Sequence, residues 1–153
     1  MENVLIQLLM VVIGSVGFAI FFNIEKSKIP SVAIGGLISW VIYLICFERT
    51  NSIFASTFIS AIVVSIYSEV MARVLKSPAN IFLIASIIPL LPGGSFYYTM
   101  SAALSMDLEL FKLKSFETFI IVLAIVTGVV IGFFIFTQIF KSFQKSNSFQ
   151  YIN

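Results

Sequence analysis

Histidine is absent from the 153 residues, and Cys46 is the single cysteine. Catalysis by Ser–His or Cys–His pairs is therefore excluded, and so is an internal disulfide framework. A lone cysteine without histidine cannot build the usual zinc sites, and the acidic residues show no metal-ligand spacing. We expect no enzymatic activity, no metal site and no cofactor.

Charge is scarce as well. Charged residues make up 10% of the chain, against about 25% in ordinary soluble domains. The net charge is only +2 and no basic stripe exists, which argues against binding to nucleic acid. Since 59% of the residues are apolar, a soluble protein of this size would leave too much apolar surface in water. The composition predicts an all-α integral membrane protein that is embedded in a lipid bilayer.

The charged residues divide the chain into five long apolar runs. About 20 residues cross a bilayer as a helix, because each residue rises about 1.5 Å and the hydrocarbon layer is about 30 Å thick. The predicted spans cover about 4–24, 29–47, 50–71, 78–106 and 117–140. They form a single transmembrane domain, 1–153, with a polar tail at 141–153. We interpret the first run as a retained helix, because no basic residue precedes it and no signal-peptide cleavage motif follows it.

The fourth run is interrupted by proline and glycine between Pro89 and Ser95. Proline removes a backbone donor and pushes the preceding residue out of the helical region, and the two adjacent glycines add backbone freedom. The pattern predicts two half-helices, about 78–88 and 96–105, joined by a non-helical break over Pro89–Ser95.

Two topologies fit this break. If the broken segment crosses once, the chain has five transmembrane segments. If it is a re-entrant hairpin, the chain has four spans and a loop at 107–117 changes sides. In both cases six basic residues lie on one side and three on the other, so the positive-inside rule places Lys26 and Arg73 in the cytoplasm without deciding between the two. We favour five segments.

Small residues recur every four positions on two predicted spans. Such faces let helix backbones approach closely in lipid, although glycine and alanine are also common in membrane helices generally. They are Ser31, Gly35 and Ser39 on the second span, and Ala124, Gly128 and Gly132 on the fifth. The sequence does not show whether these faces meet within one chain or between chains. Because five spans are few for a solute pathway, we expect a homo-oligomer or a larger membrane partner.

The break is the best candidate for a ligand site. Non-helical backbone at membrane depth is tolerated where it is buried in protein or lines a wet cavity. The amino end of the second half-helix would expose unpaired N–H groups that favour a carboxylate. The predicted substrate-binding residues are Pro92, Gly93, Gly94, Ser95, Tyr97, Tyr98, Thr99 and Asn80. The alternative is a structural kink, and Asn80 could equally cap the first half-helix.

Glu69 and Arg73 form a second candidate site. Residues four apart on a helix lie on the same face, so these two are expected to pair. Charges near a bilayer often belong to a pathway or a proton relay, and a buried glutamate could couple transport to a proton gradient. The alternative is an interfacial ion pair that ends the third span.

The segments Glu69–Arg73, Lys76–Ala79 and Ile87–Met100 resemble the threonine/serine exporter (ThrE) family, above all in the pattern Pro-x-x-Pro-Gly-Gly-x-x-Tyr that starts at Pro89. The length and the five segments are similar to its short membrane subunit, of the YjjB-like type. The positions that match the family's motifs are Glu69, Arg73, Pro78, Pro89, Pro92, Gly93, Gly94 and Tyr97. The hydrolase-like extension of the family is missing.

The resemblance implies a membrane subunit of a secondary exporter for small amino acids, driven by proton flux and completed by a larger partner subunit. It places the chain in the plasma (inner) membrane of a bacterium as a multi-pass protein. Related two-subunit systems imply a first alternative, a dicarboxylate exporter for substrates such as succinate. Both substrate types are small carboxylate-bearing metabolites. Two further alternatives are an assembly subunit without a substrate site of its own and a passive pore formed by a homo-oligomer.

Overall fold

The computed structural model describes the backbone of residues 4–150 and the side chains of residues 4–142. This part of the chain is built from helices and contains no strand, which confirms the all-α prediction. The helices are α1 (Val4–Phe21), α2 (Ile29–Thr50), α3 (Ile53–Val74), α4 (Ala79–Ile87), α5 (Gly93–Leu104) and α6 (Leu108–Gln150). Two short 3-10 turns, Lys26–Lys28 and Ile88–Leu90, precede α2 and follow α4. By length and apolarity, α1, α2, α3 and α6 can each cross a membrane, and α4 with α5 forms a fifth, bent candidate.

Polar side chains at the helix ends explain why the connections are short. The Ser52 hydroxyl accepts a hydrogen bond from the Ala55 N–H at 3.4 Å and so caps α3. The Asp107 carboxylate accepts one from the Leu110 N–H at 3.0 Å and caps α6 in the same way. Asn51 has a left-handed backbone, with φ of 49°, and ends α2 just before the cap of α3.

The predicted loop at 107–117 is wrong, because α6 begins at Leu108. The Asp107 cap and the good helix formers after it, mainly leucine and lysine, extend the helix nine residues beyond the expected start of the last span. At its other end α6 continues through the predicted polar tail as far as Gln150, and the rest of that tail lies outside the described residues.

The direction of α6 bears on the choice between the two topologies. Gly128 lies against Phe58 and Ala61 of α3, and further along both helices Phe136 lies against Arg73. Since the residue numbers rise together, α3 and α6 run parallel. The segment between them must therefore carry the chain back to the side where α3 began. A re-entrant hairpin would have left α6 antiparallel to α3, so this packing favours the five-segment arrangement.

Both stripes of small residues lie at helix contacts inside the chain. A Cβ atom added at Gly128 would come within 2.7 Å of the Phe58 carbonyl oxygen, and one at Gly132 within 2.7 Å of the Ile62 carbonyl oxygen. On α2, a Cβ at Gly35 would come within 2.8 Å of the Ser86 Cβ. These positions allow α6 to pack closely on α3 and α4 to pack closely on α2.

Buried hydroxyl groups connect the same helices. Ser65 of α3 donates a hydrogen bond to the Val129 carbonyl of α6 at 3.0 Å. Tyr67 of α3 donates to the Ser31 carbonyl of α2 at 2.7 Å, and Ser60 of α3 donates to the Ser39 carbonyl. Each bond satisfies a polar group where lipid offers no partner. Together with the glycine contacts they hold α2, α3, α4 and α6 as one bundle.

Candidate substrate site at a helix break

The helix break lies at Leu91 and Pro92. Leu91 has an extended backbone and Pro92 stands at the N-cap position of α5, so the helix direction changes by 60° between Ala79–Leu90 and Gly93–Leu104. Proline at this position cannot donate the backbone hydrogen bond that would continue α4. The break that the sequence predicted is therefore present, but it is shorter than Pro89–Ser95.

The second half-helix begins at Gly93 rather than near Phe96, which corrects the predicted boundary. The Phe96 N–H donates to the Pro92 carbonyl at 2.8 Å, so Gly93, Gly94 and Ser95 form the first helical turn. No glycine among the described residues has a positive φ. The glycine pair is therefore not needed for an unusual backbone conformation, and the helix can start directly after Pro92.

The amino end of α5 is open. No side chain within the described residues caps it, because proline occupies the N-cap position and has no side-chain acceptor. A Cβ atom added at Gly93 or at Gly94 would meet nothing within 4 Å. The Gly93 N–H donates to the Leu91 carbonyl at 2.8 Å, and the N–H groups that follow it in the first turn have no partner within the helix. With the positive end of the helix dipole, this end favours a negatively charged group.

A cavity of ≈ 220 Å³ adjoins this end of α5. It lies between α2, α3, α6 and the break, and its volume is several times the share of one water molecule, about 30 Å³. Its lining includes Trp40, Tyr43, Thr57, Glu117 and the segment Pro89–Ser95. Aromatic walls with a few polar groups are typical of sites for small molecules.

Glu117 is the charged residue in the lining of this cavity, and in the sequence it stands out only as the boundary of the last predicted span. Its Oε1 accepts a hydrogen bond from the Ser95 hydroxyl at 2.6 Å, and its Oε2 pairs with the Lys114 ammonium at 2.7 Å. Both charged side chains are 27% exposed. The spacing of Lys114 and Glu117, three apart on one helix, indicates the ion pair, whereas no sequence signal indicates the contact with Ser95.

The three hydroxyl residues predicted after Ser95 do not join the cavity. Tyr97 and Tyr98 are 67% and 53% exposed and contact each other edge to face, with ring centroids 5.6 Å apart. The Thr99 hydroxyl donates back to the Ser95 carbonyl at 2.8 Å within α5. Successive helix positions point in different directions, and only the first turn of α5 faces the cavity.

Asn80 lies elsewhere. It stands in the first turn of α4, whereas the break follows the last turn of that helix. Together with Ser65, Ser68 and Glu69 it lines a second cavity, of ≈ 230 Å³. The predicted substrate-binding residues thus divide between two places, and the structure brings Asn80 to the Glu69 cavity rather than to the break.

Glu69 and Arg73 form the ion pair that their spacing indicates, with Oε2 and Nη1 2.7 Å apart. The glutamate side chain is 13% exposed and the arginine side chain 41%. The guanidinium group also lies over the rings of Phe136 and Phe140, 4.4 and 4.3 Å from their centroids. Arg73 therefore connects the end of α3 to α6 and holds Glu69 at the mouth of the second cavity.

A family model described as "Threonine/Serine exporter, ThrE" matches residues 7–135 of the chain. The matched range includes α2 to α5, both cavities and the whole of the break. No solved structure matches the chain.

Proposed function

Because the chain belongs to the threonine/serine exporter family, we propose that it is a membrane subunit of a secondary exporter for small amino acids such as threonine and serine. Proton flux drives the export, and a larger membrane subunit completes the pathway. The observation that carries this proposal is the open amino end of α5 beside a cavity with aromatic and polar walls. An interrupted helix of this kind is a common substrate site in transporters.

The location of the site within the bundle supports transport rather than a structural kink. The first turn of α5 lines the cavity, and a Cβ at Gly93 or at Gly94 would meet nothing within 4 Å, so a ligand can approach the backbone there. Two adjacent glycines also lower the helix propensity of this turn relative to alanine. Close approach of a ligand to the backbone is a reason to keep them.

A second chain in the assembly is supported by the surroundings of α5. This helix packs mainly on α6, and apolar side chains around it stay exposed, among them Leu104 at 86% and Met106 at 81%. The larger subunit would lie against this part of the bundle and leave the other apolar faces to lipid.

Efflux of radiolabelled threonine, serine and succinate from cells that express the chain with its neighbouring reading frames tests the proposal. We expect threonine and serine efflux to exceed that of cells without the chain, and Gly93→Leu to abolish the difference. Gly17→Leu is the matched control, because Gly17 is also helical and a Cβ there also meets nothing within 4 Å. Equal efflux with and without the chain, or equal loss in both variants, would overturn the proposal. Efflux of succinate alone would favour the dicarboxylate alternative.

A further inference from the structure

We infer that Glu117 binds the ammonium group of the amino acid and exchanges it for a proton. This inference rests on the proposed function and adds a residue that sets both substrate choice and coupling. Its basis is a carboxylate held 2.6 Å from Ser95, in the first turn of the helix whose open end favours a carboxylate.

The two groups of a zwitterion match the two charges of this site. The amino end of α5 attracts the carboxylate of an amino acid. The negative side chain of Glu117, beside the first turn of α5, attracts the ammonium group on the same α-carbon. Glu117 is held at this distance by the hydroxyl of Ser95. The second carboxylate of a dicarboxylate would be repelled by the carboxylate of Glu117, whereas the ammonium group of an amino acid would be attracted to it. Glu117 therefore favours amino acids over succinate.

Lys114 shows that an ammonium group fits the position. Its Nζ lies 2.7 Å from the Glu117 Oε2, at ordinary distance for an ion pair. The substrate's ammonium group would replace the Lys114 ammonium group, because the flexible side chain of lysine can adopt another rotamer. Lys114 is therefore an internal competitor of the substrate.

A proton competes for the same oxygen atoms. When Glu117 takes up a proton it loses its charge, and with it the attraction for an ammonium group. Protonation and amino-acid binding then exclude each other, which is the linkage that an exchange of protons for amino acids needs. Among the residues that line this cavity, Tyr43 on α2 is the other titratable group, and α5 contributes Ser95 and α3 contributes Thr57. Lys114 lies outside the lining and reaches Glu117 from one turn earlier on α6.

The experiment measures threonine transport in membrane vesicles from cells that express the chain with its neighbouring reading frames. We expect the KM for threonine to rise as the pH falls in the unmodified protein. In Glu117→Gln the KM is expected to rise about 10- to 100-fold and to become independent of pH, since a hydrogen bond to a charged group is lost. Inhibition of transport by 3-hydroxybutyrate, which lacks the ammonium group, should be no weaker in Glu117→Gln than in the unmodified protein. Glu109→Gln, which alters an acidic residue in the first turn of α6 outside the cavity lining, is the control and should behave like the unmodified protein.

Lys114→Met gives a second, opposite readout that loss of folding cannot imitate. Removing the competitor should lower the KM for threonine. A raised KM in this variant, or a Glu117→Gln protein that keeps its pH dependence and its preference for threonine over 3-hydroxybutyrate, would overturn the inference. If Glu117→Gln does not accumulate in the membrane, Glu117→Asp replaces it, and a pH-independent KM there would overturn the inference too. Absence of threonine transport by the unmodified protein would instead refute the proposed function.

Discussion

Gly128 and Gly93 are both helical glycines, yet replacement with alanine should lower stability at Gly128 and should not lower it at Gly93. At Gly128 the new Cβ would lie 2.7 Å from the Phe58 carbonyl oxygen and 2.8 Å from the Ala61 Cβ, and both are parts of α3 that cannot move independently. Overpacking of this kind costs about 1–3 kcal/mol. At Gly93 the Cβ meets nothing within 4 Å, and alanine is the better helix former by up to about 1 kcal/mol.

The assay is equilibrium unfolding of the purified protein in mixed micelles of increasing denaturing detergent. Trp40 is the single tryptophan and stacks on Tyr43 with ring centroids 5.0 Å apart, so its fluorescence reports on the packed bundle. We expect Gly93→Ala to unfold at the same or a higher detergent fraction than the unmodified protein, and Gly128→Ala at a lower one. If Gly128→Ala is as stable as Gly93→Ala, the close packing of α3 on α6 is refuted.

Three further predictions concern single contacts. Arg73→Lys should lower the unfolding free energy by about 0.5–1 kcal/mol, because lysine loses the stacking on the two rings of α6, and an unchanged value would contradict that contact. Ser65→Ala should cost about 0.6 kcal/mol in the same assay through loss of its bond to Val129. The hydrogen bond from Lys28 holds the pKa of Glu25 below its ordinary value. The pair therefore stabilises the fold at any pH above the pKa of Glu25 in the unfolded chain. This stabilisation is lost as the pH falls through the lower pKa of the folded protein. In Lys28→Met, an NMR titration should show the Glu25 pKa returning toward its ordinary value. A Glu25 pKa equal to that of the unmodified protein would contradict the pairing.

Features that depend on local sequence could be predicted. Run length and the scarcity of charge predicted the apolar helices, and two prolines with two glycines predicted the break. The spacing of Glu69 and Arg73 gave their ion pair, because residues four apart on a helix must lie on one face. Each of these follows from helix geometry and from the cost of unsatisfied groups in lipid.

Features that depend on contacts between distant segments could not be predicted from the sequence. Ser95 meets Glu117 across 22 positions and a change of helix, so no periodicity indicates the pair. The polarity of Asn80 predicts a contact with the break, but Asn80 stands at the opposite end of α4 and lines the cavity of Glu69 instead. The charges of residues 107–117 predict a loop and so a later start of α6, whereas the Asp107 cap begins a helix there.

Protection of a cysteine at the break is the most direct test that the open end of α5 receives the substrate. Gly94→Cys would be made in a Cys46→Ala background, where the new side chain points into open space, and Glu109→Cys would serve as the exposed control. The rate of alkylation by a small water-soluble maleimide would be measured with and without threonine. We expect threonine to slow alkylation at position 94 and to leave position 109 unaffected. Equal rates at position 94 in the presence and absence of threonine, in a protein that transports threonine, would contradict the central claim.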